Sequence, residues 1–195
     1  MSQPLLRVGI VGIHPALKKY VEIFRAAVPK NKQRLKAILR EGERETNRAR
    51  AAFLLTQLPD PHEVVQVLVP SMRDSSSRIR TRVLRAICQL VRERPDVVVP
   101  VGPFVEALDL PATIERSKLL AILGELANKE ENKGVLIRKG GSGLTQLLKL
   151  LQPSNHDYAH DILKKISGKD FGERNYKAWE QWLNGESGHS KSIHL

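Results

Sequence analysis

The chain has 195 residues, 41% of them apolar but only 5% aromatic, and carries a formal charge of +11 with a sequence pI near 10.0. That length can bury one sizeable core. The lone cysteine, Cys88, excludes an internal disulfide framework, and no stretch approaches the roughly 18–20 continuous apolar residues that span a bilayer.

Residues 1–13 open the chain with LLRVGIVGI, which suits either a buried strand or a short apolar helix. Gly9 and Gly12 do not complete G-x-G-x-x-G, and no alternating strand–helix pattern follows, so no dinucleotide site is read here. The opening lacks a basic n-region and a small-residue cleavage site and is not read as a secretion signal. A reducing, cytoplasmic setting is the expectation, with Cys88 as a core thiol.

From Pro15, the positions Leu17, Tyr20, Val21, Phe24, Ala27 and Val28 mark an N-terminal extra helix that should end before Pro29. Residues 31–41 and 44–58 form the first helix pair, with Leu35, Ile38 and Leu39 facing Ala51, Ala52, Leu54, Leu55 and Leu58 across a turn at Gly42. Pro59-Asp60-Pro61 breaks the chain. Residues 62–73 then carry Val64, Val65, Leu68 and Met72. Their partner follows Asp74 and three serines, all good caps, and shows Ile79, Val83, Ala86, Ile87, Leu90 and Val91 at helical spacing.

Residues 103–109 and 113–128 give a third pair, the latter with Leu119, Leu120, Ile122, Leu123 and Leu126. Asn128–Gly143 reads as a long connection with at most one helical turn at Val135–Arg138. Residues 143–151 and 156–167 make the last pair, with Leu144, Leu147, Leu148 and Leu151 against Ala159, Ile162, Leu163 and Ile166.

Set in register, Arg48, Arg80 and Arg116 fall 32 and 36 residues apart. Each follows an acidic residue by six or seven positions: Glu41, Asp74 and Asp109. A period in the thirties with two helices per unit is the mark of an α-solenoid.

The best copy, Asp74 with Ile79-Arg80, Val83 and Ala86-Ile87, resembles HEAT-type repeats. The resemblance covers residues 31–168 and implies a right-handed all-α stack of about four antiparallel helix pairs. It departs in the fourth unit, where Tyr158-Ala159 stands in the place of the valine–arginine pair. The stretch Ile166-Ser167-Gly168-Lys169-Asp170-Phe171-Gly172, followed by Ala178-Trp179-Glu180-Gln181-Trp182, is similar to an ending common in bacterial HEAT-repeat proteins. The expected layout is one domain over 1–184, with the extra helix in 1–30, repeats in 31–168 and a cap in 169–184, then a disordered tail in 185–195. Phe171, Trp179 and Trp182 would form the cap, covering the apolar face of the last repeat.

By the same resemblance, Arg48, Arg80 and Arg116, with Asp74 and Asp109, form a structural ladder between repeats. It also places second helices on the concave side of the stack. Arg78, Arg82 and Arg85 share one face of their helix through spacings of four and three. With Arg44 from the preceding repeat they could form a basic stripe facing phosphates or acidic side chains. The alternative is an exposed polar face of an amphipathic helix. No aromatic residue is expected to interleave with this stripe.

Other constellations are weaker. Asp170-Phe171-Gly172 lacks every companion of the kinase motif it spells. His156 and His160 could chelate an ion at i, i+4, but no third ligand is found; helix capping is the simpler reading. Gly140-Gly141-Ser142-Gly143 lacks the strand and the G-K-[ST] ending of a phosphate loop and is read as a flexible connection.

The excess charge lies early: basic residues outnumber acidic ones by eight in residues 1–58, by two in 59–100, by one in 101–152 and by none in 153–195. The expectation is a non-catalytic protein-interaction or scaffold module with no cofactor or metal, binding a partner on its concave face, an acidic one being the kind its charge suits. The alternative is a nucleic-acid-binding protein using the basic stripe. A DNA-repair enzyme stands third and would need a carboxylate in the basic groove.

Overall fold

The computed structural model describes residues 18–189. Residues 1–17 and 190–195, with the readings made of LLRVGIVGI, of Pro15 and of the far end of the tail, lie outside the described residues. Those described are all helical in their regular structure, with no strand among them, and none of their helices is long and apolar enough to cross a membrane. The chain divides into two compact units, residues 1–99 and 100–195.

In the first unit, α1 (Lys18–Lys30), α2 (Lys32–Glu41) and α3 (Glu45–Leu55) are followed by α4 (Pro61–Leu68), a 3-10 turn at Val69–Arg73, and α5 (Ser77–Glu93). α2 and α3 pack as a hairpin, and α5 packs on α3 and on the α4 segment. α1 retains Pro29 in its last turn rather than stopping before it. A proline there gives up only one near-terminal hydrogen bond, and Asn31 N–H closes the end on Ala27 and Val28 carbonyls. α4 starts as its residues dictate: Asp60 accepts from the His62 N–H at 2.9 Å, and Pro61 occupies the first turn. Leu55, Leu68, Ile79, Val83, Leu84, Ile87 and Leu90 are wholly buried. Each such side chain contributes about 1.5–3 kcal/mol by leaving water. Cys88 is buried with them.

The second unit comprises α6 (Gly102–Glu106), α7 (Thr113–Leu126), α8 (Glu130–Val135), a π-turn at Leu136–Gly140, α9 (Gly141–Leu148), α10 (Pro153–Ser167) and α11 (Tyr176–His189). α10 packs on both α7 and α9, and α11 covers α9 and the π-turn. Phe104, Leu119, Leu120, Ile122, Leu123, Leu144, Leu148, Ile162 and Leu163 fill the core.

The segment expected to be a long connection, 128–143, is helical over most of its length. Glu130 and Glu131 suit the positive end of α8, Lys133 pairs with Glu130 at 2.6 Å, and the Asn132 amide caps the Leu126 carbonyl. Its glycines are packing positions rather than hinges. A Cβ on Gly140 would lie 3.3 Å from Val105, one on Gly141 would lie 2.4 Å from Leu183, and one on Gly143 would lie 2.8 Å from Leu108. Only glycine lets this helix lie so close to its neighbours.

α11 also runs to His189, five residues into the stretch expected to be a tail. No proline interrupts it, and the glycine at 185 weakens a helix without ending it.

Candidate functional site

The three arginines set in register share one geometry. Each lies three residues into its helix and uses one terminal nitrogen, Nη1, to hold the loop that precedes that helix. Arg48 reaches the carbonyls of Gly42 at 2.9 Å and Glu43 at 3.4 Å. Arg80 reaches those of Asp74 at 2.8 Å and Ser75 at 3.0 Å. Arg116 reaches those of Leu110 at 2.8 Å and Pro111 at 2.7 Å.

Arg48 additionally grips Asp74 with both remaining nitrogens, at 3.1 and 2.9 Å, tying α3 to the start of α5. Burial alone would push the Asp74 carboxyl up. The Arg48 hydrogen bonds, the Ser76 N–H and the charges of Arg48 and Arg80 outweigh it and hold the group below the usual carboxylate range. Arg116 has no such reach: its Nε is buried without a partner. Three residues before α10, where α5 has Asp74, the chain has Leu150.

The fourth unit keeps the register differently from expectation. α10 starts at Pro153, so His156 takes the arginine's place and Asn155 the buried residue before it; Tyr158-Ala159 are further on. His156 Nδ1 lies 2.6 Å from the carbonyl of Leu148, the last residue of α9, so the tether here reaches the preceding helix rather than the loop.

Arg78, Arg82 and Arg85 come together, and with more than the stripe expected of them. They line a groove of about 640 Å³ between α3 and α5, with Phe53 and Thr56 from α3 and Ser77, Thr81, Ala86 and Gln89 from α5. All three arginines are exposed. Arg78 meets Glu45, just outside the lining, at 3.6 Å. Arg44 stands at the N-cap of α3, exposed and outside the lining. Phe53, half-buried in the wall, corrects the expectation of a groove without aromatic residues. The sequence does not reveal it because it belongs to α3, about thirty residues from the arginines. The unit that carries the groove has ten more basic than acidic residues, against one more in the second unit.

At the other end of the chain, Trp179 has no solvent exposure, and its indole N–H donates to the Gly172 carbonyl at 2.9 Å. Phe171, Trp182 and His160 meet its ring edge-on, with centroids 4.8, 6.2 and 6.0 Å away. The loop before α11 is held by Gly168 and Gly172 in the left-handed region at φ 67° and 88°. It is held too by Asp170, which accepts from the Gly172 N–H and contacts Lys164 and His160. The Gly172 N–H, the Lys164 ammonium and the His160 ring hold the Asp170 carboxyl below its ordinary range. His156 therefore faces the Glu173 carboxylate of this loop at 3.6 Å, with its other ring nitrogen on the Leu148 carbonyl of α9, and His160 faces Asp170 at 3.2 Å. Among the described residues no group of three or more His, Cys, Asp or Glu is placed to hold a metal ion. Gly140 and Gly141 are buried within helical backbone, which corrects both the flexible-connection reading and the phosphate-loop alternative.

Compared with protein-family models, curated proteins and solved structures, the chain matches none.

Proposed function

We propose that the protein is a non-catalytic interaction module, a HEAT-like stack of about four helix pairs, that receives an acidic partner in the groove between α3 and α5. The observation that carries this reading is the convergence of Arg78, Arg82 and Arg85 on one groove wall, in the unit that holds nearly all of the excess positive charge. The side chains of Arg82 and Arg85 make no hydrogen bond or ion pair with another described residue, so their charge is available to a ligand. The shared loop tether of Arg48, Arg80 and Arg116 supports the repeat reading, since each helix pair closes in the same way. Among the described residues the groove lining contains no carboxylate, the group that glycosylase-type chemistry would need there.

Phe53 favours one second reading: a nucleic-acid strand with phosphates on the arginines and a base on the ring. Fluorescence anisotropy at low and near-physiological salt, with labelled acidic peptides and with single- and double-stranded DNA and RNA, separates the two. The acidic-partner reading expects salt-steep peptide binding that Arg82→Glu abolishes. Absence of any peptide binding at low salt overturns it.

A further inference from the structure

The walls of the groove are chemically unequal. The α5 wall presents three guanidiniums at i, i+4 and i+7, interleaved with Ser77 and Thr81 hydroxyls. Among the described lining residues the α3 wall carries no charge, with Phe53 and the helix-ending Thr56 there and Glu45 only at its edge, and Ala86 contributes apolar surface from α5. Thr56 is satisfied internally, donating to the Phe53 carbonyl at 2.6 Å and accepting from Gln57 at 2.9 Å. A ligand that fits is therefore anionic along one edge and apolar along the other.

From Ser77 to Gln89 the helix runs about 18 Å at 1.5 Å per residue. That accommodates about twelve residues of helix or five of extended chain. Glu45 shows how a carboxylate is taken, lying beside Arg78, and leaves Arg82 and Arg85 to a ligand. A nucleic-acid strand contacting three arginines would present three bases to one aromatic ring, where sequence-tolerant strand binding relies on successive stacking platforms. It would also bring a phosphate towards Glu45.

We infer that the occupant of this groove is a short acidic protein segment bearing one large apolar side chain. The apolar side chain seats against Phe53 and Ala86, and flanking carboxylates face Arg82 and Arg85. The inference rests on the groove being the binding surface, as proposed above, and adds the anchor.

The test uses the full chain and three fluorescein-labelled probes. They are a twelve-residue Asp/Glu-rich peptide with a central Phe, the same peptide with Ser in place of Phe, and a twelve-nucleotide oligo-uridine. The anchored peptide should bind about tenfold or more tighter than the serine peptide, as expected for burying a large apolar side chain. Phe53→Ala should remove that difference, and Arg82→Glu with Arg85→Glu should weaken both peptides. The comparison of the two peptides on the wild-type chain decides the matter even if Phe53→Ala does not fold. Equal, arginine-dependent binding of both peptides overturns the anchor and leaves the acidic groove standing. No binding of either peptide overturns the groove reading as well. Oligo-uridine binding tighter than both, and lost in Arg82→Glu, replaces the protein segment with a nucleic acid.

Discussion

Trp179→Ala tests the C-terminal cap most directly. The indole is fully buried and touches Phe171, Trp182 and His160. Truncating a buried Trp costs about 3–5 kcal/mol through lost transfer energy and the cavity left behind. The lost hydrogen bond adds little, because the Gly172 carbonyl belongs to an exposed residue and can turn to water. A total near 4 kcal/mol is a large share of the 5–15 kcal/mol typical of a folded domain. With a urea m-value of about 1–3 kcal/mol/M, the midpoint should fall by about 2 M, read by far-ultraviolet circular dichroism. Trp179→Phe keeps an aromatic ring against the same neighbours and should cost roughly half as much. An alanine variant whose midpoint lies within about 0.3 M of wild type would refute the claim that α11 is fastened by this ring.

Other variants test separate parts of the structure. The Asp74 carboxyl titrates below its ordinary value, so its contribution is full above the usual Asp pKa near 3.9 and is lost as pH falls through the folded value. Asp74→Asn should therefore lower the melting temperature at neutral pH and flatten the loss of stability in acid; an unchanged acid limb would contradict the Arg48 pairing. Leu150→Asp should raise the melting temperature by giving Arg116 Nε a partner, worth about 1 kcal/mol, whereas an unchanged or lower value would show that the aspartate does not reach it. Gly141→Val should destabilise by about 1–3 kcal/mol through overlap with Leu183, while Gly185→Ala, with open space around it, should gain up to about 1 kcal/mol. Arg82→Glu with Arg85→Glu should leave the melting temperature nearly unchanged, since both side chains are exposed; a collapse of the fold would show that the arginines hold the structure.

Helical period was legible where apolar residues recur, and the paired helices follow it except past the end of α9, where Leu151, expected to face the core, lies beyond the helix and is exposed. Arg48, Arg80 and Arg116 were also legible as equivalents, because their role depends on a loop only five or six residues away. What depended on distant partners was not. Gly140, Gly141 and Gly143 read as a flexible connection because Val105, Leu183 and Leu108, which press against them, lie 35 to 42 residues away. Phe53 carries no assignment from the sequence, because nothing local places it beside Arg82. His156 is not recognisable as the arginines' equivalent from a valine–arginine pair; only its distance from Pro153 marks it.

The only cysteine is buried in α5, while both tryptophans lie in the second unit. Each unit thus contains a natural reporter that the other lacks. Thiol-labelling kinetics at Cys88 follow the opening of the groove-bearing unit, since a buried thiol reacts only when its helix opens. Indole emission follows the unit closed by α11. Protein without any introduced dye can therefore reveal whether the two units unfold together or in turn, and whether an acidic ligand slows thiol labelling alone.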